Sequence, residues 1–289
     1  MTHRLDLYLV ETLQKPRSWV QNYIKNGGVK VNGLFSKPAY IVRDSDVLTF
    51  EESLPQMPKT EPRNSDKNEL SQLDFLYEDN AIIVINKPAG WVVHPGEGNP
   101  TNTLVDILKE YTAHLSSYGP GERAGIVHRL DKFTEGLMVI AKTNEAHEML
   151  AAQFKNSDIK KKYYAMVKGN VLKEEMVIER GIARHPHQRV KFTSLPLTSD
   201  SPMRYAKTKI NILKRYQTKT LLDVTPYTGR THQIRVHLAH IEHPIIGDPL
   251  YSKTRGEGQL LQAYFLSFVH PETRQRMSFQ LPLSERLIT

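Results

Sequence analysis

Between Ala124 and Thr143 the chain sets a cluster of charge into an apolar background. Ile126 and Val127 lead in as an apolar strand, then His128, Arg129, Asp131 and Lys132 arrive together. Thr134 and Gly136 follow, and Leu137-Met138-Val139-Ile140-Ala141 runs out as a second buried strand. Charge pinned between buried strands is costly unless every group has a partner or a task. Two readings fit these residues: a polar turn closed by a salt bridge, or a site held on a rigid scaffold. In the second, Asp131 is a carboxylate of the kind that can act as a covalent nucleophile. Residue types alone leave both open.

Two further stretches carry chemistry-bearing side chains. Pro226 to Leu238 holds Arg230, His232, Arg235 and His237, and runs on into His243-Pro244-Ile245-Ile246-Gly247-Asp248-Pro249-Leu250-Tyr251. His232, His237 and His240 do not share a standard helical ligand spacing and no acid joins them closely, so no metal site is expected. Lys160-Lys161-Lys162-Tyr163-Tyr164-Ala165-Met166-Val167-Lys168-Gly169 opens on a lysine run, which by itself reads as a solvated face. A tyrosine in such a strand is most often core. No glycine-rich phosphate loop follows a strand and no internal repeat is present, so no cofactor is expected.

These stretches together resemble the RluA-like, large-subunit-type pseudouridine synthases. In that family His-Arg-Leu-Asp precedes a Thr and a Gly, as His128 to Asp131 does here. Asn86-Lys87-Pro88-Ala89-Gly90 with His94-Pro95, the Lys-x-Tyr-x-Ala-x-Val-x-Gly pattern at Lys161 and Tyr163, and His232-Gln233-Ile234-Arg235 complete the likeness. One position departs: Glu135 stands where the family usually has Ser. The resemblance implies that Asp131 is the nucleophile and that Arg235 pairs with it. A guanidinium supplies a charge-assisted hydrogen bond that aims a carboxylate and favours its ionised form. It also implies that Tyr163 lies against the target base and serves as base in a later proton transfer. Arg129 is to fill the space the flipped base leaves in the RNA, with His128 beside it. Isomerising uridine to pseudouridine needs no redox change and no group transfer, in keeping with no cofactor.

These side chains need elements to hold them. Leu5, Tyr8, Leu9 and Leu13 fall at helical spacing, and Pro16 closes the run. Ser18 is placed to cap a second helix bearing Val20, Tyr23 and Ile24, with Gly27-Gly28 as its stop. Val29-Lys30-Val31, the Asn32-Gly33 turn and the strand Val47-Leu48-Thr49-Phe50 follow. This order resembles the S4 RNA-binding fold, whose phosphate contacts would come from Lys15, Arg17, Lys25 and Lys30. Residues 1–50 are thus expected to form an S4-like domain and 51–72, rich in Pro and charge, a linker. Residues 73–289 form the catalytic domain. There Phe75-Leu76-Tyr77 and Ala81 to Ile85 read as a hairpin, a helix enters near Asn102 or Thr103, and Asn144 caps another. Paired strands are expected over Ala206 to Leu213 and Thr220 to Thr225. The implied fold class is α+β: a central mixed, mainly antiparallel sheet flanked by helices and loops, plus the small N-terminal α/β module.

Composition agrees. The 289 residues carry a net charge of +8, 39% hydrophobic residues and no cysteine. A basic balance favours a polyanionic partner. The absence of cysteine excludes disulfides and fits the reducing cytosol. No apolar run approaches the roughly 18 residues of a membrane span, and Met1 to Asp6 has no leader character. The expected partner is RNA, ribosomal first and transfer RNA second, for a cytoplasmic monomer with no membrane association. Two other readings compete. One is a ribosome-assembly factor that kept the fold and lost the chemistry. The other is an aspartyl-phosphate enzyme, since Asp131-Lys132-Phe133-Thr134 is faintly similar to an Asp-Lys-Thr-Gly-Thr loop. The spacing of the latter is off by one and no acidic cluster follows to hold magnesium.

Overall fold

The structure, a computed structural model, describes residues 3–13, 20–21, 23–24, 28–50, 73–96, 99–118, 123–197, 203–253, 256 and 258–288. Residues 3–50 fall in one compact unit, and residues 73–118 with 124–288 in another. The expected linker, the cap Ser18, the loop after Tyr118 and the basic residues Lys15, Arg17 and Lys25 lie outside the described residues.

The N-terminal unit comprises β1 (His3–Arg4), α1 (Leu5–Leu13), β2 (Val29–Val31), β3 (Leu34–Phe35), β4 (Ile41–Val42) and β5 (Leu48–Phe50). Strands β3, β2 and β5 pair in that order, and β1 pairs β4. Leu5 and Leu9 project from α1 onto Val20, Ile24, Val29 and Val31, while Tyr8 is exposed. Asn32 and Gly33 have φ of 53° and 79°, the left-handed pair that a two-residue hairpin turn requires. Lys30 lies in β2, in the expected hairpin, and its ammonium lies 5.3 Å from the Phe35 ring centre.

The larger unit is built on one sheet of ten strands. In chain order these are β6 (Asp74–Glu78), β7 (Ile82–Lys87), β8 (Glu135–Ala141), β9 (Lys160–Lys168), β10 (Glu175–Arg184), β11 (Phe192–Leu195), β12 (Arg204–Arg215), β13 (Lys219–Pro226), β14 (Leu261–Val269) and β15 (Arg276–Gln280). The helices are α2 (Leu104–Tyr111), α3 (Asn144–Asn156), α4 (Gln233–His240) and α5 (Glu285–Ile288). Across the sheet the order is β11-β10-β12-β13-β9-β14-β8-β7-β6, with β15 on β14. Every pairing is antiparallel except β8 with β14, so the sheet is mixed and mainly antiparallel, as the α+β expectation had it.

The near-continuous apolar runs of β7 and β8 follow from burial on both faces. A strand's period of two sends alternate side chains to opposite sides. Ile83, Ile85, Met138 and Ile140 therefore meet Leu104, Val105 and Leu108 of α2. Ile82, Val84, Leu137 and Val139 meet Ala146 and Leu150 of α3 and Phe268 of β14. Each such side chain contributes about 1.5–3 kcal/mol on burial. Helix α4 packs Ile234 and Leu238 against Ala165, Val167, Ile210, Leu222 and Val224 of the sheet.

Two local expectations need correction. Thr143, not Asn144, caps α3, with its hydroxyl accepting from the Ala146 N–H at 3.1 Å. The Asn144 carboxamide instead accepts from Ser116, Ser117 and Tyr118. Ile126-Val127 is no strand, only a bridge from Ile126 to Ile140. Beyond Gly136 no strand among the described residues lies along that edge of β8, and a side chain takes the ladder's place, as described next.

Candidate active site

Asp131 sits on the irregular segment that enters β8, and neighbouring groups fix that segment through its backbone. The carbonyl of Lys132 accepts from the Gly90 N–H at 2.9 Å and from the Lys87 ammonium at 3.2 Å. Lys87 is fully buried and also donates to the carbonyls of Pro88 (2.8 Å) and Trp91 (3.0 Å). Three acceptors match the three hydrogens of an ammonium. Burial pulls its pKa down to about 7, against the opposing charges of Asp131 and Glu135. The Thr134 N–H donates to the Asp131 carbonyl at 3.0 Å and closes the turn. Gly136, with φ of 119°, brings β8 against the Ala263 backbone; a Cβ there would lie 2.2 Å from the Ala263 carbonyl oxygen.

His128 belongs to the same anchoring. Its Nε2 accepts from the Val139 N–H at 3.1 Å, satisfying the edge of β8 that lacks a strand partner. Its ring stacks on Phe154 at 4.3 Å. Burial, with Lys161 nearby, drops its pKa to about 3, so the ring is neutral. One ring nitrogen of His128 is thus engaged by backbone, while the residue still lines the cavity described below.

Arg235 is held differently. It lies in the first turn of α4, whose start is His232 in the left-handed region (φ 56°), a conformation that costs a non-glycine residue about 1–3 kcal/mol and clusters at functional sites. The buried Asp248 carboxylate accepts Arg235 Nε at 2.7 Å and Nη2 at 2.9 Å, a two-pronged pair. The remaining Nη1 donates to Asp131 Oδ2 at 2.8 Å. One guanidinium thus bridges two carboxylates from distant parts of the chain. Burial alone would weaken the cation, but the bonds to Asp248 and the charges of both acids outweigh it and push its pKa up. Asp248 is itself fixed by the N–H groups of Leu250 and Tyr251. Gln233 ties the preceding loop to β12: it accepts from Thr228 and Arg230 and donates to Lys207 and Thr208.

His232 stands 3.9 Å from Asp131 Oδ1 through its Nε2. The Tyr251 hydroxyl accepts from the Phe192 N–H at 2.8 Å and shares a hydrogen bond with His232 Nδ1 at 2.9 Å, which holds the imidazole with Nε2 facing Asp131. Burial lowers the His232 pKa, with Asp131 opposing.

Asp131, Tyr163, Arg235, Arg129 and His128 all line one cavity of about 300 Å³. The Tyr163 hydroxyl has no hydrogen-bond partner among the described residues. Burial, then the Asp131 charge, raises the phenol above its ordinary value. Tyr163 thus stands in the cavity as an aromatic wall with a donor hydroxyl. Arg129 is exposed at the cavity's edge, with Nη1 3.3 Å from His94 Nε2. Lys30 lies in the N-terminal unit and is no part of this cavity.

Sequence reasoning passed over Asp248, Lys87, Lys161, His232 and Tyr251 as site residues. The signal for Asp248 was a lone acid between Gly247 and Pro249; for Lys87 it was a lysine ending an apolar strand. Among the described residues no group of three or more His, Asp or Glu side chains is arranged to hold a metal, and no helix is long and apolar enough to cross a membrane.

Comparison with known proteins agrees with this geometry. The family model described as RNA pseudouridylate synthase matches residues 81–240, and the S4 domain model matches residues 3–48. The chain is 38% identical over 288 residues to YlyB of Bacillus subtilis, named an uncharacterized RNA pseudouridine synthase, covering 98% of this chain and 91% of that one. It is 38% identical to ribosomal large subunit pseudouridine synthase D of Neisseria meningitidis serogroup B, over 97% of this chain and 75% of that one. Among solved structures, human RNA pseudouridylate synthase domain containing 1 superposes with a TM-score of 0.61 at 22% identity, over 74% of this chain and 84% of that one. This last likeness bears on the fold.

Proposed function

Because the chain belongs to the RNA pseudouridylate synthase family, and so is an enzyme that isomerises uridine in RNA, we propose that Asp131 is its nucleophile and large-subunit ribosomal RNA its substrate. The observation that carries the first part is the Arg235 guanidinium joining Asp131 to the buried Asp248 inside a cavity walled by Tyr163. The reaction breaks the bond from ribose C1′ to uracil N1 and joins C1′ to C5. Each route open to a carboxylate needs the same group within reach of an extruded nucleotide, whether it attacks C1′, adds to the ring or triggers elimination.

The cavity, about 300 Å³, has room for an extruded base. Extrusion costs a few kcal/mol, about what an aromatic stack returns, roughly 1–3 kcal/mol for Tyr163 against the ring. Arg129, exposed at the edge, fills the space left in the RNA. An intact set of Asp131, Tyr163 and Arg235 speaks against a fold kept for binding alone. The ribosomal target is supported by the name of the Neisseria relative and by the S4 match.

The test is a map of pseudouridine in large-subunit ribosomal RNA from cells lacking the gene, complemented with wild type or Asp131→Asn. At least one site should vanish on deletion and return with wild type alone. The purified variant should lose isomerisation while its RNA affinity stays within a few fold. Substantial activity of Asp131→Asn would remove the nucleophile. An unchanged ribosomal map, with a change in transfer RNA, would move the substrate.

A further inference from the structure

Lys161 points into the same cavity with nothing to neutralise it. Among the described residues its ammonium has no hydrogen bond and no ion pair, only the Phe154 ring at 5.7 Å. Asp131, the acid that lines the same cavity, is already engaged by Arg235. The loop opposite leaves room above the ammonium, since a Cβ on Gly229 would lie 3.6 Å from Nζ. Lys161 is two residues from Tyr163 on β9, so both side chains project from one sheet face beside the cavity. Burial lowers its pKa below the ordinary lysine value. A largely buried ammonium without a counter-ion is costly, and in a cleft it marks a functional group awaiting an anion.

We propose that Lys161 donates a hydrogen bond to a carbonyl oxygen of the extruded uracil and stabilises the negative charge that collects there as the base leaves the ribose. The inference rests on the reading of Asp131 and the flipped base given above. When the C1′–N1 bond breaks, its electron pair passes to the uracil and spreads over N1 and the carbonyl oxygens. The ammonium donates to that charge without transferring its proton. The pair is then used to form C5–C1′; the C5 proton leaves and N1 gains one, so atoms and electrons balance with no further reagent. Addition of the carboxylate to the ring also loads a carbonyl oxygen, so the lysine serves either route. A backbone phosphate is the other anion an RNA offers. The place of Lys161 beside Tyr163 in the cavity lining favours the base edge, whereas exposed Arg129 suits a phosphate.

The test compares wild type, Lys161→Met, Lys161→Arg and Asp131→Asn on in-vitro transcribed large-subunit ribosomal RNA. Single-turnover rates are read from pH 6 to 10, and RNA affinity at two salt concentrations. Lys161→Met should slow turnover by about 100-fold, the scale of losing one preorganised donor. Its RNA affinity should stay within about threefold and its salt slope should not change. A rate within about threefold of wild type overturns the proposal. So does a loss lodged in affinity with a salt slope reduced by about one, which is the mark of a phosphate contact. Should Lys161→Met not fold, Lys161→Arg decides. His128, Asp131, Tyr163, His232 and Arg235 share the cavity and are unchanged in that variant. Its rate should hold at alkaline pH where wild type declines, and identical alkaline limbs overturn the proposal. A wild-type rate that Asp131→Asn fails to abolish overturns the underlying reading instead, so the two failures are distinct.

Discussion

Asp131 rides on an irregular segment whose position is set through main-chain atoms, whereas Arg235 rides on a helix and is set through side-chain pairs. On the first side, Lys87 and Gly90 grip the carbonyl of Lys132, His128 holds the Val139 N–H, and Gly136 lets β8 close on Ala263. On the second, Asp248 takes two prongs of the guanidinium and Gln233 ties the loop before α4 to β12. A segment without regular structure has no ladder to fix it, so its carbonyls and N–H groups need side-chain partners. A helix satisfies its own backbone, so only the direction of its side chain remains to be set. The place of Asp131 should therefore depend on residues that never touch it, and that of Arg235 on a single acid.

The sharpest way to break the second half is Asp248→Ala. It leaves Arg235 buried with its fork unpaired, and the loss should be about 3–5 kcal/mol in unfolding free energy. Isomerisation should fall by at least about 100-fold, since the guanidinium is then free to leave Asp131. Denaturant unfolding and single-turnover rates check both; retained activity at reduced stability would separate Asp248 from the site.

Lys87→Met tests the first half. Moving the Lys132 carbonyl shifts Asp131, and a displacement on the ångström scale should cost about 10–100-fold in kcat with KM little changed. The pH dependence has a definite sign. Burial holds Lys87 near 7 in the fold, against an ordinary value of 10.5. Between these values the unfolded chain binds more protons, so this group makes stability rise with pH, by up to about 1.4 kcal/mol per unit. Below pH 7 the cost of the buried charge is fully present. Wild type should gain on Lys87→Met from pH 7.5 to 9; parallel unfolding curves would mean the lysine keeps its proton throughout.

His128→Leu should have the smallest effect. It leaves the Val139 N–H without an acceptor, at about 1–3 kcal/mol, and RNA affinity should stay within about twofold. A marked affinity loss at unchanged stability would return His128 to the RNA.

Much of the scaffold was legible in the chain. The apolar runs of β7 and β8, the stripe Leu5 and Leu9, the Asn32-Gly33 turn and the start of α2 at Thr103 all rest on local rules of pattern and capping. The same rules failed at Ile126-Val127, whose apolar character reflects packing against the sheet rather than a strand. They also missed the cap at Thr143 by one residue, because Asn144 is as good a cap in isolation and is drawn instead to Ser116. The burial of Tyr163 was not legible either, because a residue's type says nothing of how deeply it will be buried.

By itself the sequence determined which groups were on offer: a carboxylate among cations, a tyrosine on a strand, an arginine after His232-Gln233. Their types and order along the chain sufficed for that, since local pattern and chemical identity are properties of short segments. The tertiary structure alone decided that one guanidinium would join residues 131 and 248, that Lys87 would spend its charge on backbone carbonyls, and that Lys161 would have no acid beside it. Pairing and desolvation depend on distances through space between segments a hundred residues apart, and no local pattern encodes them.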